Sequence, residues 1–199
     1  MAKARSAKRA KRQRKWPSAL LVIAAALIVA AVWAYGANYI LVPNGAPLST
    51  SVLQARFAYL SLSHSNLCAP PAFIGSMNDD SYLQGSCCAP MVFASYAEQV
   101  NGLRNYSGIQ QIPADPYNVS VGLARELIGY DSDITLNAAQ QLIYNQAVNA
   151  STNHGPCCCG CWRWNAFEGQ AKYFIVNNEF NASKIARIWG LEDGCGGSL

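Results

Sequence analysis

Residues 154–164 read HGPCCCGCWRW and place four cysteines within five positions of the chain. Neighbouring cysteines bond to each other only through a strained ring, because their Cβ vectors usually point apart. Gly160 is expected to let the backbone fold tightly between two of the sulfurs. A helix predicted to follow would direct its N–H groups at the sulfurs and favour the thiolate form. We therefore expect the four sulfurs to converge on one centre.

The chain has eight cysteines, and all of them lie between residues 68 and 195. Reduced thiolates select thiophilic ions such as Cu(I) and Zn(II) over hard cations. The sequence therefore predicts a centre for a metal ion of the copper, mercury or zinc class. The predicted metal ligands are Cys157, Cys158, Cys159, Cys161, Cys87, Cys88 and His154.

Two alternatives for the cysteines remain open. In the first, most of them form disulfides that stabilise a surface or assembly module without catalytic activity, and Cys68 and Cys195 suit distant pairing because each is alone in its segment. In the second, Cys158 and Cys161 have the Cys-x-x-Cys spacing of a thiol-disulfide oxidoreductase, although strands are not predicted around them. Hydrolase and nucleotide-binding motifs are not found, so neither a catalytic residue nor an organic cofactor is predicted.

Away from the cysteines, apolar residues recur with helical spacing. Helices are predicted near residues 51–62, 91–103, 119–128 and 137–150, with two more between 167 and 190 separated by a break at 177–183. The segment 75–85 reads as an irregular loop, and no alternating strand pattern is found. The predicted fold class is all-α: a small Cys-rich helical domain with long loops that follows one N-terminal transmembrane helix.

The N-terminal part of the chain predicts a membrane anchor. Eight of the fifteen basic residues lie in the first fifteen positions, and no charged side chain occurs from Trp16 to Gln54. An apolar run of about 20 residues suffices to span a bilayer, and the basic cluster before it favours a cytoplasmic N-terminus. The expected divisions are a cytoplasmic tail (1–17), a transmembrane signal-anchor (18–42), a linker (43–50) and an extracytoplasmic domain (51–199).

Two other interpretations of this N-terminal part fit its sequence less well. A cleaved signal peptide would use Ala34-Tyr35-Gly36 as its cleavage site, but the apolar run is longer than such peptides have. Basic clusters also bind nucleic acid, yet beside a membrane span they are explained by orientation and by attraction to anionic lipid. The partners predicted are therefore the lipid bilayer and a metal ion, without nucleic acid.

The cysteine-rich stretch resembles a known family. Residues 156–161 read PCCCGC and match five of the six positions of the PCYCGC motif, which is typical of a family of small exported bacterial proteins of uncharacterised function. In that family the motif lies between helices and is followed by a helix-turn-helix tail. Residues 167–190 of this chain resemble such a tail. The chain departs from the family at Cys158, which replaces the tyrosine, and it lacks the lipoprotein cysteine. The resemblance, confined to the C-terminal third, implies an extracytoplasmic protein with a function linked to metal ions or to redox chemistry.

Overall fold

The computed structural model of the protein describes residues 47–177 and 179–197. Within these ranges the chain forms seven α-helices, one 3₁₀ turn and two short strands. In chain order they are α1 (Thr50–Leu60), α2 (Pro71–Gly75), β1 (Tyr82–Gln84), α3 (Phe93–Leu103), the 3₁₀ turn (Arg104–Tyr106), β2 (Asn118–Ser120), α4 (Val121–Asp133), α5 (Ala138–Ala150), α6 (Trp162–Val176) and α7 (Ala182–Glu192).

Several helices begin where a polar side chain caps the first turn. The Ser120 hydroxyl accepts the N–H of Leu123 at the start of α4, and the Asn181 amide oxygen accepts the N–H of Lys184 at the start of α7. Asn137 and Gln140 form a reciprocal capping box at the start of α5. Such caps satisfy N–H groups that have no partner inside the helix, so the sequence fixes where these helices begin.

The expectation of an all-α domain is wrong because a small sheet is present. Strands β1 and β2 pair antiparallel, with Leu83 opposite Val119, and both side chains are buried. The Gln84 amide donates to the Asn118 amide oxygen across the pair. Segment 75–85, predicted to be irregular, therefore contains a strand. Three residues are too few to show the alternation by which a strand is recognised in a sequence.

The expectation of a membrane-spanning helix is also corrected. In residues 47–177 and 179–197, no helix is both long enough and apolar enough to cross a bilayer. The segment 18–42, for which the span was predicted, lies outside the described residues, as does the basic tail. The single-pass membrane location predicted from the sequence therefore finds no support among the described residues.

The main core lies between α4 and α6 and extends to α5 and α7. At Gly169 the two central helices come so close that an added Cβ would lie 2.0 Å from the Leu127 carbonyl oxygen. Trp162, Phe167 and Phe174 are fully or almost fully buried in this core. A second apolar cluster joins α1 to α3. The buried Cys157, Cys161 and Cys195 form a third cluster, against which Trp164 packs.

Candidate metal centre

Four separate segments deliver the eight cysteine sulfurs to one place. The segment before α2 carries Cys68, and the turn between β1 and α3 carries Cys87 and Cys88. The loop between α5 and α6 carries Cys157, Cys158, Cys159 and Cys161, and the segment after α7 carries Cys195. Residues more than a hundred positions apart in sequence therefore share one cluster.

The sulfurs are close neighbours, but none of them is bonded to another. The Sγ–Sγ distances are 3.1 Å for Cys68–Cys88, Cys157–Cys195 and Cys158–Cys195, 3.5 Å for Cys87–Cys88, 3.6 Å for Cys68–Cys159, 3.7 Å for Cys88–Cys158 and 3.9 Å for Cys87–Cys195. A disulfide is much shorter, at about 2.05 Å. Sulfurs that share a tetrahedral zinc ion at about 2.3 Å lie about 3.8 Å apart, close to the longer of these distances.

The eight sulfurs form four overlapping groups of three, which we call triads. Within each triad all three sulfurs lie within 4.8 Å of one another. The triads are Cys68–Cys88–Cys159, Cys87–Cys88–Cys195, Cys157–Cys158–Cys195 and Cys157–Cys159–Cys161. Every cysteine of the chain belongs to at least one triad, so the cluster as it stands could hold metal ions.

The cluster is exposed on one side and closed on the other. Cys68, Cys88 and Cys158 are exposed, whereas Cys157, Cys161 and Cys195 are buried. The buried sulfurs belong to the loop before α6 and to the C-terminal segment. An ion approaching from solvent would meet the exposed sulfurs first.

Electrostatics prevents the eight thiols from ionising together. Hydrogen bonds to Cys161 and then Cys195 raise the pKa of Cys157, and burial raises it further. The pKa of Cys161 is lowered by hydrogen bonds from Cys157 and then Cys87, and the backbone N–H groups of Arg163 and Trp164 act in the same direction. The cluster thus favours a few thiolates surrounded by neutral thiols, and further ionisation requires added positive charge.

Burial also raises the pKa of cysteines that are less deeply buried. It is the main cause that raises the pKa of Cys158 to about 12, and the nearby Cys195 sulfur adds to the effect. Burial likewise raises the pKa of Cys159 to about 12. A thiophilic cation supplies the missing positive charge when it displaces these protons, because a bound metal deprotonates the thiols that coordinate it.

Backbone hydrogen bonds fasten Cys195 to the turn that carries Cys87 and Cys88. The Cys195 carbonyl accepts the N–H groups of Cys88 at 3.1 Å and Ala89 at 2.8 Å, and the Gly194 carbonyl accepts the N–H of Cys87. Gly197 then forms a parallel bridge with Met91. Gly194, Cys195 and Gly197 thus attach the C-terminal segment to this turn and to the residues that follow it.

Buried polar side chains hold the same C-terminal segment from the other side. Arg163 is fully buried, and its guanidinium donates to the carbonyls of Glu192 and Pro116. The Gln99 amide donates to the Asp193 carbonyl at 2.6 Å. These contacts fix the end of α7, so the position of Cys195 is set by the body of the fold.

The first residue of α6 holds the segment that carries Cys68. The Trp162 backbone N–H donates to the Ala69 carbonyl, and its indole N–H donates to the Leu67 carbonyl. Since Cys161 directly precedes Trp162, one helix start positions sulfurs from two segments.

The structure brings together six of the seven predicted ligands. The six predicted cysteines all lie in triads, whereas His154 is exposed and belongs to none of the three-ligand groups in the described residues. Gly160 has no positive φ and an added Cβ there would meet open space; the left-handed backbone lies instead at His154, with φ 51°. The loop nevertheless turns tightly at Gly160, as predicted, because the Cys161 N–H donates to the Cys159 carbonyl across it at 2.9 Å.

The sequence prediction did not include Cys68 and Cys195 among the metal ligands. The structure places each of them in a triad with predicted cysteines. A signal was present at Cys195, because the sequence DGCGG at 193–197 surrounds it with glycines, which are typical of close backbone approach.

Together, fold and site define a small helical domain, with one two-stranded sheet, that is organised around an eight-thiol cluster. The chain matches no protein-family model, no curated protein and no solved structure. The resemblance to the PCYCGC family therefore stays a prediction.

Proposed function

We propose that this protein binds thiophilic metal ions, of the copper, zinc or mercury class, through its eight-cysteine cluster. The observation that carries the proposal is that cysteines from four segments meet in triads whose sulfurs lie within 4.8 Å of one another. Disulfide stapling alone would need only pairs of sulfurs, each at bonding distance.

The donor set supports this class of ion. All four triads consist of sulfur alone. Calcium and magnesium prefer oxygen ligands, whereas thiolates favour Cu(I), Zn(II) and related soft ions. The proposed role is to hold ions rather than to catalyse a reaction.

The two alternatives from the sequence differ in what they require of the cysteines. A disulfide-stabilised module requires the sulfurs to pair, and the closest Sγ atoms are 3.1 Å apart. An oxidoreductase would use Cys158 and Cys161 as a pair, but these two residues belong to different triads. Metal binding fits the geometry better than either.

Metal content and free thiols measured together test the proposal. The full-length chain is purified anaerobically under reduction, loaded with Zn(II) or Cu(I), freed of unbound ion and analysed for metal and for thiols after denaturation. We expect bound metal and eight free thiols once a chelator has removed the ion. A protein that retains no metal while its sulfurs are reduced would overturn the proposal.

Two single substitutions test whether the cluster is the binding site. Cys195→Ser removes a sulfur shared by two triads, and we expect the bound metal to fall and to be lost to a weaker chelator. His154→Ala is the control: it alters an exposed residue of the loop between α5 and α6, which carries four of the cysteines, and we expect metal retention to be unchanged. Circular dichroism of both variants verifies that they are folded. Equal retention by a folded Cys195→Ser variant would contradict the assignment.

A further inference from the structure

The four triads are linked to one another in a closed order. The first two share Cys88, the second and third share Cys195, the third and fourth share Cys157, and the fourth returns to the first through Cys159. The remaining sulfurs, those of Cys68, Cys87, Cys158 and Cys161, each belong to one triad. Each triad thus has two shared sulfurs and one of its own.

From this arrangement we infer that the cluster takes up four Cu(I) ions, one in each triad, as a ring of metals bridged by four thiolates. The inference rests on the proposed metal binding and specifies its ion, number and connectivity. Each ion bonds to two bridging sulfurs and one terminal sulfur. The four bridging cysteines come from three different segments, so the tertiary fold brings the members of the ring together.

Coordination number favours copper over zinc. Zinc in structural sites is almost always bound by four ligands, whereas each triad offers three sulfurs. Cu(I) is a soft ion that is satisfied by two or three thiolates. Four zinc ions in this cluster would each need a further ligand from outside it.

Loading proceeds from the exposed side of the cluster. The triad Cys68–Cys88–Cys159 contains two exposed sulfurs, whereas Cys157–Cys159–Cys161 contains two buried ones. At each step a Cu–S bond forms, an S–H bond breaks where the sulfur is still protonated, and the proton leaves to solvent. Copper enters as Cu(I), so no electron is transferred.

Anaerobic titration of the reduced, full-length chain with Cu(I) tests the ring, using native mass spectrometry to resolve each bound state. Because bridging sulfurs couple the sites, we expect metal-free and four-copper protein to dominate at half loading. Saturation at one or two ions would overturn the inference, and so would a statistical spread of one-, two- and three-copper species.

Two exposed cysteines of the same triad provide a matched pair of variants. Cys88→Ser removes a bridge and opens the ring, so partly loaded species should increase several-fold at half loading. Cys68→Ser removes a terminal ligand and leaves its copper on two bridging sulfurs, so loading should remain close to all-or-none. Identical loading of the two variants would contradict the bridging assignment. Both side chains are exposed, so neither change disturbs the core.

The outcomes separate this inference from the proposed function. A reduced chain that binds neither Cu(I) nor Zn(II) defeats both. If the chain binds either ion, but takes up fewer than four coppers or fills its copper sites independently, the proposed function stands and only the four-copper ring is wrong.

Discussion

Gly196 occupies a position where the backbone leaves no room for a side chain. Its φ is +86°, and an added Cβ would lie 1.9 Å from the Ala89 carbonyl oxygen. The neighbouring Cys195 carbonyl accepts two N–H groups from the turn that carries Cys88. The close approach that brings Cys195 into its two triads therefore depends on this glycine.

Gly196→Ala should damage both stability and metal binding. A left-handed backbone costs a residue with a Cβ roughly 1–2 kcal/mol, and the clash with the Ala89 carbonyl adds to this. We expect a lower free energy of unfolding in urea and weaker metal retention against a chelator.

Gly160→Ala is the control for this change, because an added Cβ there meets nothing within 4 Å. Its stability should stay within about 0.5 kcal/mol of the parent, with metal retention unchanged. If both alanine variants behave alike, the proposed role of Gly196 is wrong.

The role of an individual cysteine was only partly predictable from sequence. The four cysteines at 157–161 were recognisable because they are crowded, and crowding is a local property. Cys68 and Cys195 are solitary in sequence, and only tertiary folding brings them to the others. For the same reason the buried Arg163, which fixes the C-terminal segment, had no local signature.

At the scale of elements, the end of α7 is held against α6 by a buried polar network. Glu192 is fully buried, and one of its carboxyl oxygens accepts the Gln170 amide. Burial raises the pKa of Glu192 from 4.5 to about 8, although the Gln170 hydrogen bond and the Arg163 charge act in the opposite direction. The folded protein therefore holds this carboxyl group in its neutral form at neutral pH.

This pKa shift predicts the sign of a pH effect on stability. Between pH 4.5 and about 8 the folded state binds more protons at Glu192 than the unfolded state, so this group makes the free energy of unfolding fall as pH rises. Its favourable contribution is fully present below pH 4.5 and is lost as pH passes through about 8. Glu192→Gln, which stays neutral, should remove this part of the decline.

Chemical denaturation of reduced, metal-free protein from pH 4 to 8.5 measures the effect. The stability difference in favour of Glu192→Gln should grow steadily with pH. Glu98→Gln, at an exposed position of α3, should leave the profile of the parent unchanged. A pH-independent difference for Glu192→Gln would refute the neutral carboxyl group.

Helices were largely predictable and strands were not. The apolar spacing predicted α5 and α7 because it is a local signal, and the structure adds the caps at Asn137 and Asn181 that fix where these helices begin. Strands β1 and β2 have three residues each and are defined by pairing with each other across the chain. The five-residue α2 was too short to show periodicity.

At the scale of the whole molecule, the cluster links the beginning of the domain to its end. Its cysteines extend from Cys68 to Cys195, so a bound metal would cross-link segments that are distant in sequence. Metal binding of this kind is coupled to folding, because the unfolded chain does not present a preformed site. The anchor expected from the N-terminal residues has no counterpart among the helices of the described domain.

The most direct test of the account is a residue-by-residue alkylation map of the native protein with and without Cu(I), read by peptide mass spectrometry. In the reduced, metal-free protein we predict that the exposed Cys68, Cys88 and Cys158 are labelled first, and that denaturation makes all eight cysteines reactive. After copper loading we predict that all eight are protected together. Cysteines that still resist labelling after denaturation of the metal-free protein, or Cys68 and Cys195 that label at an unchanged rate after loading, would contradict a single eight-sulfur metal centre.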